Sequence, residues 1–293
     1  MDTPRHSEAF LDDLRDSWWN ADYLDLVATR LGLADVRRAL DVGAGHGHWT
    51  RQIARRLAPE AEVVGLEREP DWVAVATARA APGQRFVQGD ATDLPFPSGS
   101  FDLVTCQTLL IHVPDPARVI AEMHRVLRPG GQLLVAEPNN LANAASWAVL
   151  LPTADAQLAL EAVRLELFVE RGKHALGEGH NSVGEVLVGL FADGWTDVQC
   201  WANDRTRRMC PPYDAATVAK ERAAYERGEI GWTAAEARRW FVAGGGSEAA
   251  FDRAWSAVLE LQGLRLAAID ANTYAAAEGG LHYLVAARKG AAP

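Results

Sequence analysis

The feature that most constrains the fold of this chain is a run of small residues between two apolar segments, Leu40-Asp41-Val42-Gly43-Ala44-Gly45-His46-Gly47-His48-Trp49-Thr50. Arg38 to Val42 predicts a buried strand, and Thr50 to Leu57 predicts a helix with its apolar residues on one face. The glycines between them allow a sharp turn in which the backbone lies close to a ligand. The strand, the turn and the start of the helix together predict backbone N–H groups directed at an anionic or polar group.

The position of the last glycine limits which ligand this turn accepts. A dinucleotide fingerprint has the pattern Gly-x-Gly-x-x-Gly, but here His48 stands at the third glycine position and Gly47 comes one residue early. The Gly-x-x-x-x-Gly-Lys-Ser/Thr pattern of a phosphate loop is absent from the sequence as well. NAD and ATP are therefore both disfavoured.

The overall charge narrows the range of partners. The formal net charge of −10 argues against nucleic acid or an anionic membrane as the main partner. The sequence shows neither a secretory leader pattern nor an apolar stretch of about 20 residues. The three cysteines have no paired spacing, which favours a reducing cytoplasm as the location: Cys106, Cys200 and Cys210. The densest basic cluster is interpreted as a solvated face: Arg205, Arg207 and Arg208.

Four further predicted strands each end near a polar residue. They are Glu62 to Glu67, Arg85 to Gln88 with Asp90 just beyond, Phe101 to Cys106 followed by Gln107, and Gln132 to Glu137. Because ligands of open α/β sheets bind at the carboxyl ends of the strands, these polar residues are candidates for one site. Glu67 follows the last glycine by 67 − 47 = 20 residues, the place where an acid accepts hydrogen bonds from ribose hydroxyls.

The order of these motifs resembles the type 11 subgroup of class I S-adenosylmethionine-dependent methyltransferases. The residues that carry the resemblance are Leu40 to Gly47, Glu67, Gly89-Asp90-Ala91-Thr92-Asp93-Leu94-Pro95-Phe96, Ser100-Phe101-Asp102-Leu103-Val104, His112-Val113-Pro114-Asp115-Pro116 and Leu127-Arg128-Pro129-Gly130-Gly131. The resemblance covers residues 36–138 and continues weakly through 182–204 and 281–289. It implies a Rossmann-like, seven-stranded, mostly parallel α/β sheet with helices on both faces and an antiparallel last strand.

The same resemblance implies S-adenosylmethionine as the cofactor and assigns residues to it. Gly43, Ala44 and Gly45 are expected to pack against its methionine part, and Gln107 to approach the methionine end. Glu67, with Arg68 beside it, is expected to hold the ribose, and Asp90 with the backbone of Ala91 to contact the adenine. Ala44 stands where the family often has cysteine, and His46, His48 and Trp49 are bulkier than in many relatives. Trp49 is expected in the core, whereas His46 is a candidate contact for the amino acid end of the cofactor.

The remaining segments predict a helical cap around the binding domain. Residues 1–35 form an N-terminal helical lid in this interpretation, with Phe10, Leu11, Leu14 and Trp18 at helical spacing. The aromatic residues Trp18, Trp19 and Tyr23 either pack this helix onto the domain or close over the ligand. Residues 36–293 form the methyltransferase domain, with helical cap insertions at 139–181 and 205–280. Trp240 and Trp255 look exposed on their helices, so the chain is predicted to be a monomer or a homodimer.

Several local patterns make further predictions. Arg128 to Gly131 indicates a helix stop, and Gly172 to Gly179 indicates a mobile lid. Ser182 and Glu185 have the spacing of a capping box that starts a helix through Phe191. Thr233 is predicted to cap the second helix of the 205–280 insertion.

A general base for the reaction is not marked by a single motif. The candidates are His180, His112 and Glu137, with His174 in the same glycine-rich stretch as His180. Each has a structural alternative: His112 in the turn before the next helix, Glu137 as a partner of nearby backbone, and His180 as an orienter of the following turn. The sequence shows no compact metal-binding cluster, and no metal is predicted.

The predicted function is the transfer of a methyl group to a small, hydrophobic or aromatic metabolite, with oxygen as the favoured acceptor atom. An amine, thiol, carbon or metalloid acceptor is the first alternative. A cofactor-binding scaffold without catalytic activity is the second alternative.

Overall fold

The computed structural model describes residues 18–149, 151, 155–191, 194–204, 206–228 and 232–290. These residues divide into two compact units. Unit 1 consists of the described parts of 1–138, 183–205 and 282–293, and unit 2 of the described parts of 139–182 and 206–281. The second unit thus begins and ends within one residue of the predicted insertions. The helix predicted over Phe10, Leu11 and Leu14 lies outside the described residues.

Unit 1 contains a sheet and the helices that pack on it. Its helices are α1 (Ala21–Leu31), α2 (His48–Ala54), α3 (Pro70–Ala78) and α4 (Pro116–Val126). Its strands are β1 (Arg38–Val42), β2 (Glu62–Glu67), β3 (Gln84–Gln88), β4 (Phe101–Gln107), β5 (Leu127–Pro138), β6 (Trp195–Ala202) and, last in the chain, β9 (His282–Lys289). Short 3-10 helices cover Leu33–Asp35, Leu110–His112 and Val183–Leu190.

The seven strands form one sheet in the order β3-β2-β1-β4-β5-β9-β6. The pairs β1·β2, β2·β3, β1·β4 and β4·β5 are parallel. Strand β9 runs antiparallel to both β5 and β6. The predicted Rossmann-like fold, with a seven-stranded sheet and an antiparallel last strand, is therefore confirmed.

The strands alternate their side chains between two separate cores. Leu40, Val104 and Val135 belong to a cluster that includes the buried face of α4. Their neighbours Ala39, Leu103 and Leu134 belong to a second cluster with α1 and α2. Because successive side chains of a strand point to opposite faces, the two clusters lie on the two faces of the sheet. Burial on both faces explains why these strands read as nearly continuous apolar runs.

The aromatic residues before α1 pack within the second of these cores. Trp19 is 5% exposed, and its ring lies 5.6 Å from that of Trp49. Trp18 and Trp19 lie 5.3 Å and 5.9 Å from the ring of His282. Trp49 is buried in the same core, as predicted. The packing interpretation accounts for these contacts, whereas the lid interpretation stays a prediction.

The end of the helix predicted before Arg128 is confirmed to within one residue, but the turn predicted at Gly130 and Gly131 is wrong, because both glycines lie within β5. Helix α4 already ends at Val126, and β5 begins at Leu127, which pairs with Phe101 before the register shifts. The Lys289 ammonium donates hydrogen bonds of 2.8 Å to the carbonyl oxygens of His124 and Leu127. The Lys289 ammonium of β9 therefore binds carbonyl groups that the end of α4 leaves without intrahelical partners. Strand β5 can then begin directly after the helix, without an intervening turn.

The predicted capping box at Ser182 and Glu185 does not start an α-helix. The segment Val183–Leu190 is a 3-10 helix. The Ser182 hydroxyl instead accepts a hydrogen bond from the Leu141 N–H (2.9 Å) and donates one to Glu170 Oε2 (2.7 Å). The prediction is wrong because a tertiary contact uses the oxygen that a cap requires.

Unit 2 consists mainly of helices. They are α5 (Asn140–Ala148), α6 (Ala156–Ala175), α7 (Ala215–Glu226), α8 (Ala234–Ala243) and α9 (Glu248–Asp270). Its core contains Leu165 and Val169 from α6, Phe241 from α8, and Phe251 and Trp255 from α9. The predicted cap at Thr233 is confirmed, because Thr233 and Glu236 form a capping box at the start of α8.

The prediction that residues 205–280 are all helical is wrong in one part. Two short antiparallel strands, β7 (Arg207–Met209) and β8 (Ala276–Glu278), form a ribbon. The buried Arg265 of α9 contacts Glu278 of β8 and Glu221 of α7, and Arg207 of β7 contacts both acids. This ion-pair network ties the ribbon to two helices. Arg207 is therefore paired rather than merely solvated, whereas Arg205 lies outside the described residues.

Two further expectations about unit 2 are corrected. Trp240 and Trp255 are only 4% and 9% exposed, so they are core residues and give no sign of a dimer surface. The first four residues of the predicted Gly172 to Gly179 lid belong to α6, which ends at Ala175. Glu178 follows and accepts hydrogen bonds from the Arg239 guanidinium and from Trp240 Nε1. None of the helices in the described ranges is both long and apolar enough to cross a bilayer.

Candidate functional site

The parallel register brings the candidate cofactor residues to one edge of the sheet in unit 1. Strands β1, β2, β3, β4 and β5 all end there, with Val42 beside Leu66, Glu67 beside Gln88, and Gln107 beside Ala136. The glycine turn, Glu67, Asp90, Gln107 and Glu137 follow or end these strands. This is the edge at which open α/β sheets bind their ligands.

The backbone N–H groups of the glycine turn are used within the turn and its neighbours. The Gly43 and Ala44 N–H groups both donate to the Leu66 carbonyl (2.8 and 2.9 Å), and the Gly47 N–H donates to the Ala44 carbonyl (2.8 Å). The predicted set of N–H groups directed at a ligand is therefore wrong for these three. What the turn offers instead is close approach of the backbone, because Gly43 has φ +74° and no side chain.

Side chains from β1 and α2 hold the turn in place. Asp41 Oδ2 accepts a hydrogen bond from the Thr50 hydroxyl at 2.5 Å. Trp49 Nε1 donates to Thr105 Oγ1 at 2.8 Å, which links α2 to β4. The ring of His46 lies 6.1 Å from that of Trp72 on α3, so it is placed beside the turn rather than within the core.

Glu67 binds backbone on both sides of the crevice. Its Oε2 accepts from the Gly45 N–H (3.0 Å), and its Oε1 accepts from the N–H groups of Arg68 (2.7 Å) and Glu69 (3.0 Å). Burial raises the pKa of this carboxyl, and the hydrogen bonds from Gly45 and Arg68 oppose that rise. A carboxylate has about four lone-pair sites, so Glu67 retains capacity to accept from a ribose hydroxyl. The Arg68 side chain is exposed and pairs with Glu69 at 3.1 Å.

Asp90 lies at the same edge but in a more open position. Its Oδ1 accepts from the N–H and the hydroxyl of Thr92, both at 2.7 Å. These two hydrogen bonds lower the pKa of Asp90, so the carboxyl is ionised at neutral pH. The neighbouring Ala91 is partly buried against the core of unit 1. The adenine contact assigned to this pair stays a prediction.

The end of β4 carries polar atoms without partners in the part of the chain that is described. Gln107 is 4% exposed, and its buried Nε2 makes no hydrogen bond there; the buried Thr108 hydroxyl likewise makes none. Buried polar groups are normally paired, so Gln107 Nε2 and the Thr108 hydroxyl are candidates to bind a ligand at this edge. Thr108 has φ +54°, a backbone conformation that a β-branched residue rarely adopts. The sequence analysis missed Thr108, because no local pattern marks a threonine for positive φ.

Glu137, at the end of β5, is completely buried. Its Oε1 accepts from the N–H groups of both Leu109 and Leu110 at 2.8 Å. The Cys106 thiol lies 3.9 Å from the same oxygen. Burial, and then the nearby Glu137 charge, raise the pKa of this thiol well above its usual range, so Cys106 stays protonated.

The two histidine candidates lie in different units. His112 ends the 3-10 helix Leu110–His112 of unit 1 and is exposed. His180 belongs to unit 2, where its Nε2 lies 3.6 Å from Glu170 Oε1 and its ring lies 6.2 Å from that of His174. The role of general base stays a prediction for both. In the described ranges no group of three or more His, Cys, Asp or Glu side chains is arranged to hold a metal ion.

The carboxyl groups at this edge suit S-adenosylmethionine better than a polyphosphate. Asp41, Glu67 and Glu137 place three buried carboxyl groups near the carboxyl ends of β1, β2 and β5. Carboxylates attract a cation and repel phosphate groups. S-adenosylmethionine carries a sulfonium and an ammonium, and its ribose supplies hydroxyl donors for Glu67. The residues present therefore fit this cofactor.

Comparisons with known proteins bear on the class of this domain. A family model described as a methyltransferase domain matches residues 40–135. The demethylmenaquinone methyltransferase of Geobacillus kaustophilus (strain HTA426) is 38% identical over 115 residues, which are 38% of this chain and 49% of that protein. The YcgJ protein of Bacillus subtilis has a similar fold, with a TM-score of 0.51 and 20% identity, over 93% of this chain and all of the YcgJ chain.

These findings define the class. Residues 40–135 are a methyltransferase domain on a Rossmann-like fold, and the resemblance to class I S-adenosylmethionine-dependent methyltransferases of type 11 is confirmed over that range. S-adenosylmethionine is the cofactor of this class. The chain spans about half the length of the curated relatives that it matches, so their names describe those proteins and not this one.

Proposed function

We propose that this protein uses S-adenosylmethionine to methylate a small, hydrophobic or aromatic metabolite, and that oxygen is the acceptor atom. One observation carries the methyltransferase part of this proposal. A close-packed glycine turn, the buried Glu67 and the unmatched Gln107 Nε2 lie at one edge of a methyltransferase-type sheet. The turn allows close approach, Glu67 accepts from hydroxyls, and Gln107 donates to an acceptor on the ligand.

The chain's own contribution to the reaction is positioning and exclusion of water. When bound, S-adenosylmethionine supplies an electrophilic methyl group. Holding two reactants in line can lower the barrier by about 7–11 kcal/mol. A general base contributes a rate gain of roughly 10²–10⁴-fold, which corresponds to about 3–5 kcal/mol and is therefore the smaller effect. Gly43 to Gly45, Glu67, Asp90 and Gln107 are proposed to orient the donor. His112 and His180 are the candidates to take a proton from the acceptor.

The composition of the chain supports a small apolar acceptor. The net charge of −10 disfavours nucleic acid. Unit 2 exposes several apolar side chains, among them Leu160, Leu167, Leu176, Val242 and Leu264. A quinone precursor is an alternative acceptor, because the curated relative named above is a demethylmenaquinone methyltransferase. In that case the acceptor atom is carbon rather than oxygen, which is the main alternative.

Calorimetric titration with S-adenosylhomocysteine tests the cofactor site. We expect the wild-type protein to bind, and Glu67→Ala to weaken binding by at least about tenfold, because hydrogen bonds to a charged group contribute roughly 1.5–3 kcal/mol. Glu62→Ala is the matched control, since Glu62 begins the same strand β2 at the opposite edge and pairs with Arg38 and Arg85. Equal affinity of Glu67→Ala and wild type contradicts the assignment of the ribose site.

A panel of acceptors then tests the reaction. Phenols, hydroquinones, amines and thiols are incubated with S-adenosylmethionine, and release of S-adenosylhomocysteine is measured. Turnover on phenols alone supports oxygen transfer, and turnover on hydroquinones with a new carbon–methyl bond supports the quinone alternative. Tight binding without turnover on any acceptor favours a non-catalytic scaffold.

A further inference from the structure

The buried carboxylate of Glu137 lies next to a residue with an unusual backbone conformation. It is fully buried at the end of β5, and one of its oxygens accepts hydrogen bonds from two consecutive N–H groups, those of Leu109 and Leu110, at 2.8 Å. The residue just before them is Thr108, with φ +54°. A β-branched residue in this region costs free energy and persists only where surrounding contacts hold it.

The hydrogen bonds around Thr108 show what holds it. The Thr108 N–H donates to the Ala136 carbonyl at 2.9 Å, which continues the β4·β5 pairing. Directly afterwards the chain leaves the sheet, and the next two N–H groups point at Glu137 instead. The change in direction falls between these two sets of hydrogen bonds, at Thr108. Buried backbone N–H groups require acceptors, so the Glu137 carboxylate makes this change in direction stable.

The segment held in this way contacts the glycine turn. A Cβ atom at Gly43 would lie 2.7 Å from Leu109 Cδ1, so the Leu109 side chain already fills the space beside the Gly43 backbone. The same segment contains the unmatched Gln107 Nε2 and Thr108 hydroxyl. The segment bound by the Glu137 carboxylate therefore carries three features of this edge: the Leu109 side chain beside Gly43, Gln107 Nε2 and the Thr108 hydroxyl.

We infer that Glu137 is a positioning residue: it holds Thr108 in the left-handed conformation and so sets Leu109 against Gly43 and presents Gln107 and Thr108 to the ligand. The inference rests on the proposed function, because the ligand in question is the cofactor of that function. It gives Glu137 a role other than the general base named among the sequence candidates. In this role one carboxylate oxygen, Oε1, accepts from two backbone donors.

Variants of Glu137 and Thr108 separate this role from general structural support. Glu137→Ala is expected to weaken S-adenosylhomocysteine binding by about tenfold or more, because two charge-assisted hydrogen bonds are lost. Glu137→Gln is expected to retain most of the affinity, since a single amide oxygen can accept from both N–H groups. Thr108→Gly removes the cost of positive φ, because glycine adopts it freely. The double variant Glu137→Ala/Thr108→Gly is therefore expected to unfold at a higher temperature than Glu137→Ala alone, a readout that does not depend on the Thr108 hydroxyl.

Asp102 provides the matched control. It is the second residue of β4, at the opposite edge of the sheet, and its Oδ2 likewise accepts from two consecutive N–H groups, those of Arg37 and Arg38, both at 2.9 Å. Its Oδ1 also pairs with the Arg128 guanidinium. Asp102→Ala removes the same kind of contact far from the ligand edge. It is expected to lower the thermal midpoint of unfolding without changing the affinity for S-adenosylhomocysteine.

A ligand-free measurement keeps this test independent of the proposed function. Hydrogen exchange of the Leu109 and Leu110 amides is expected to be faster in Glu137→Ala than in wild type, and close to wild type in Glu137→Gln. If Glu137→Ala is insoluble, Glu137→Asp, which shortens the side chain by one methylene, replaces it. Unchanged exchange at both amides, or a double variant that unfolds at no higher temperature than Glu137→Ala, overturns the inference. If the wild-type protein binds no S-adenosylhomocysteine but exchange is still faster in Glu137→Ala, the result supports the positioning role of Glu137. The same result contradicts the proposed function.

Discussion

At the scale of single residues, the candidate site depends on buried carboxylates that bind backbone. Glu67 holds the glycine turn through Gly45, and Glu137 holds the segment after β4 through Leu109 and Leu110. Each acid ends a strand at the same edge, so two independent side chains fix two walls of one crevice. Rigid walls of this kind reduce the ordering cost of binding a ligand.

Another buried acid, Glu166 of α6, leads to a prediction about the pH dependence of stability. Burial raises its pKa from 4.5 to about 8. The folded protein therefore keeps a proton that the unfolded chain releases above about pH 4.5. The stability that this proton contributes is complete below that pH and is lost as the pH rises towards 8. Glutamine cannot ionise, so Glu166→Gln lacks this pH-dependent loss. Between pH 5 and pH 8.5 the free energy of unfolding should therefore fall by about 3 kcal/mol more in wild type than in Glu166→Gln.

Urea unfolding of both proteins at pH 5 and pH 8.5 measures this difference. Glu260→Gln is the control, because Glu260 is exposed on α9 of the same unit. Parallel pH dependences of wild type and Glu166→Gln would show that Glu166 does not titrate as expected. The residue also accepts a hydrogen bond from Asn181 Nδ2 at 2.9 Å, which an amide at position 166 can keep.

At the scale of elements, unit 2 depends on unusually close contact between α6 and α8. Gly172 of α6 lies against the Trp240 carbonyl, and Gly244 after α8 lies against the Phe168 carbonyl. Each glycine permits the backbone of the other helix to approach where any side chain would collide. Gly172, the first residue of the predicted lid, thus lies in α6 and permits its close packing against α8.

Gly172→Ala should therefore destabilise the protein, although alanine is the better helix former by about 1 kcal/mol. Its Cβ would overlap the Trp240 carbonyl, and overpacking of this kind costs roughly 1–3 kcal/mol or more. We expect a net loss of about 2 kcal/mol in the free energy of unfolding, measured by urea titration. Gly189→Ala is the matched control, because a Cβ at Gly189 meets no atom within 4 Å. A stable Gly172→Ala variant would mean that α6 and α8 can move apart at no cost.

At the scale of the whole molecule, the candidate cofactor site is assembled from separate segments of chain. The glycine turn, Glu67, Asp90, Gln107 and Glu137 are distant in sequence and meet only because parallel strands end at one edge. Unit 2 adds helices from two insertions with a core of their own.

Hydrogen exchange with and without S-adenosylhomocysteine tests this assembly. Ligand at 100 times its Kd should stabilise the folded protein by about 2.7 kcal/mol. We expect slower exchange in segments 43–47, 67–69 and 107–110, which share the ligand edge. Segments 35–37, 60–62 and 99–102, at the opposite ends of the same strands, are the internal controls. Equal protection at both edges would contradict a site at the carboxyl ends.

The sequence by itself determined the existence and order of the parallel strands of unit 1 and predicted the edge that carries the candidate site. The strands at Arg38–Val42 and Glu62–Glu67 could be predicted to the residue, because burial on both faces leaves a mostly apolar run. The class of protein also followed from the sequence, since several motifs with defined spacing occur in one order. In unit 2, the Thr233 cap was readable because its partner, Glu236, is three residues away.

Only the tertiary structure decided which groups satisfy one another across the chain. The Leu66 carbonyl takes the N–H groups of Gly43 and Ala44, Ser182 binds Glu170 instead of capping a helix, and Glu137 holds Thr108 in a conformation that its side chain disfavours. The physical reason is the same in each case. Periodicity and capping are properties of neighbouring residues, whereas a buried hydrogen-bonding group takes whichever partner the fold brings to it.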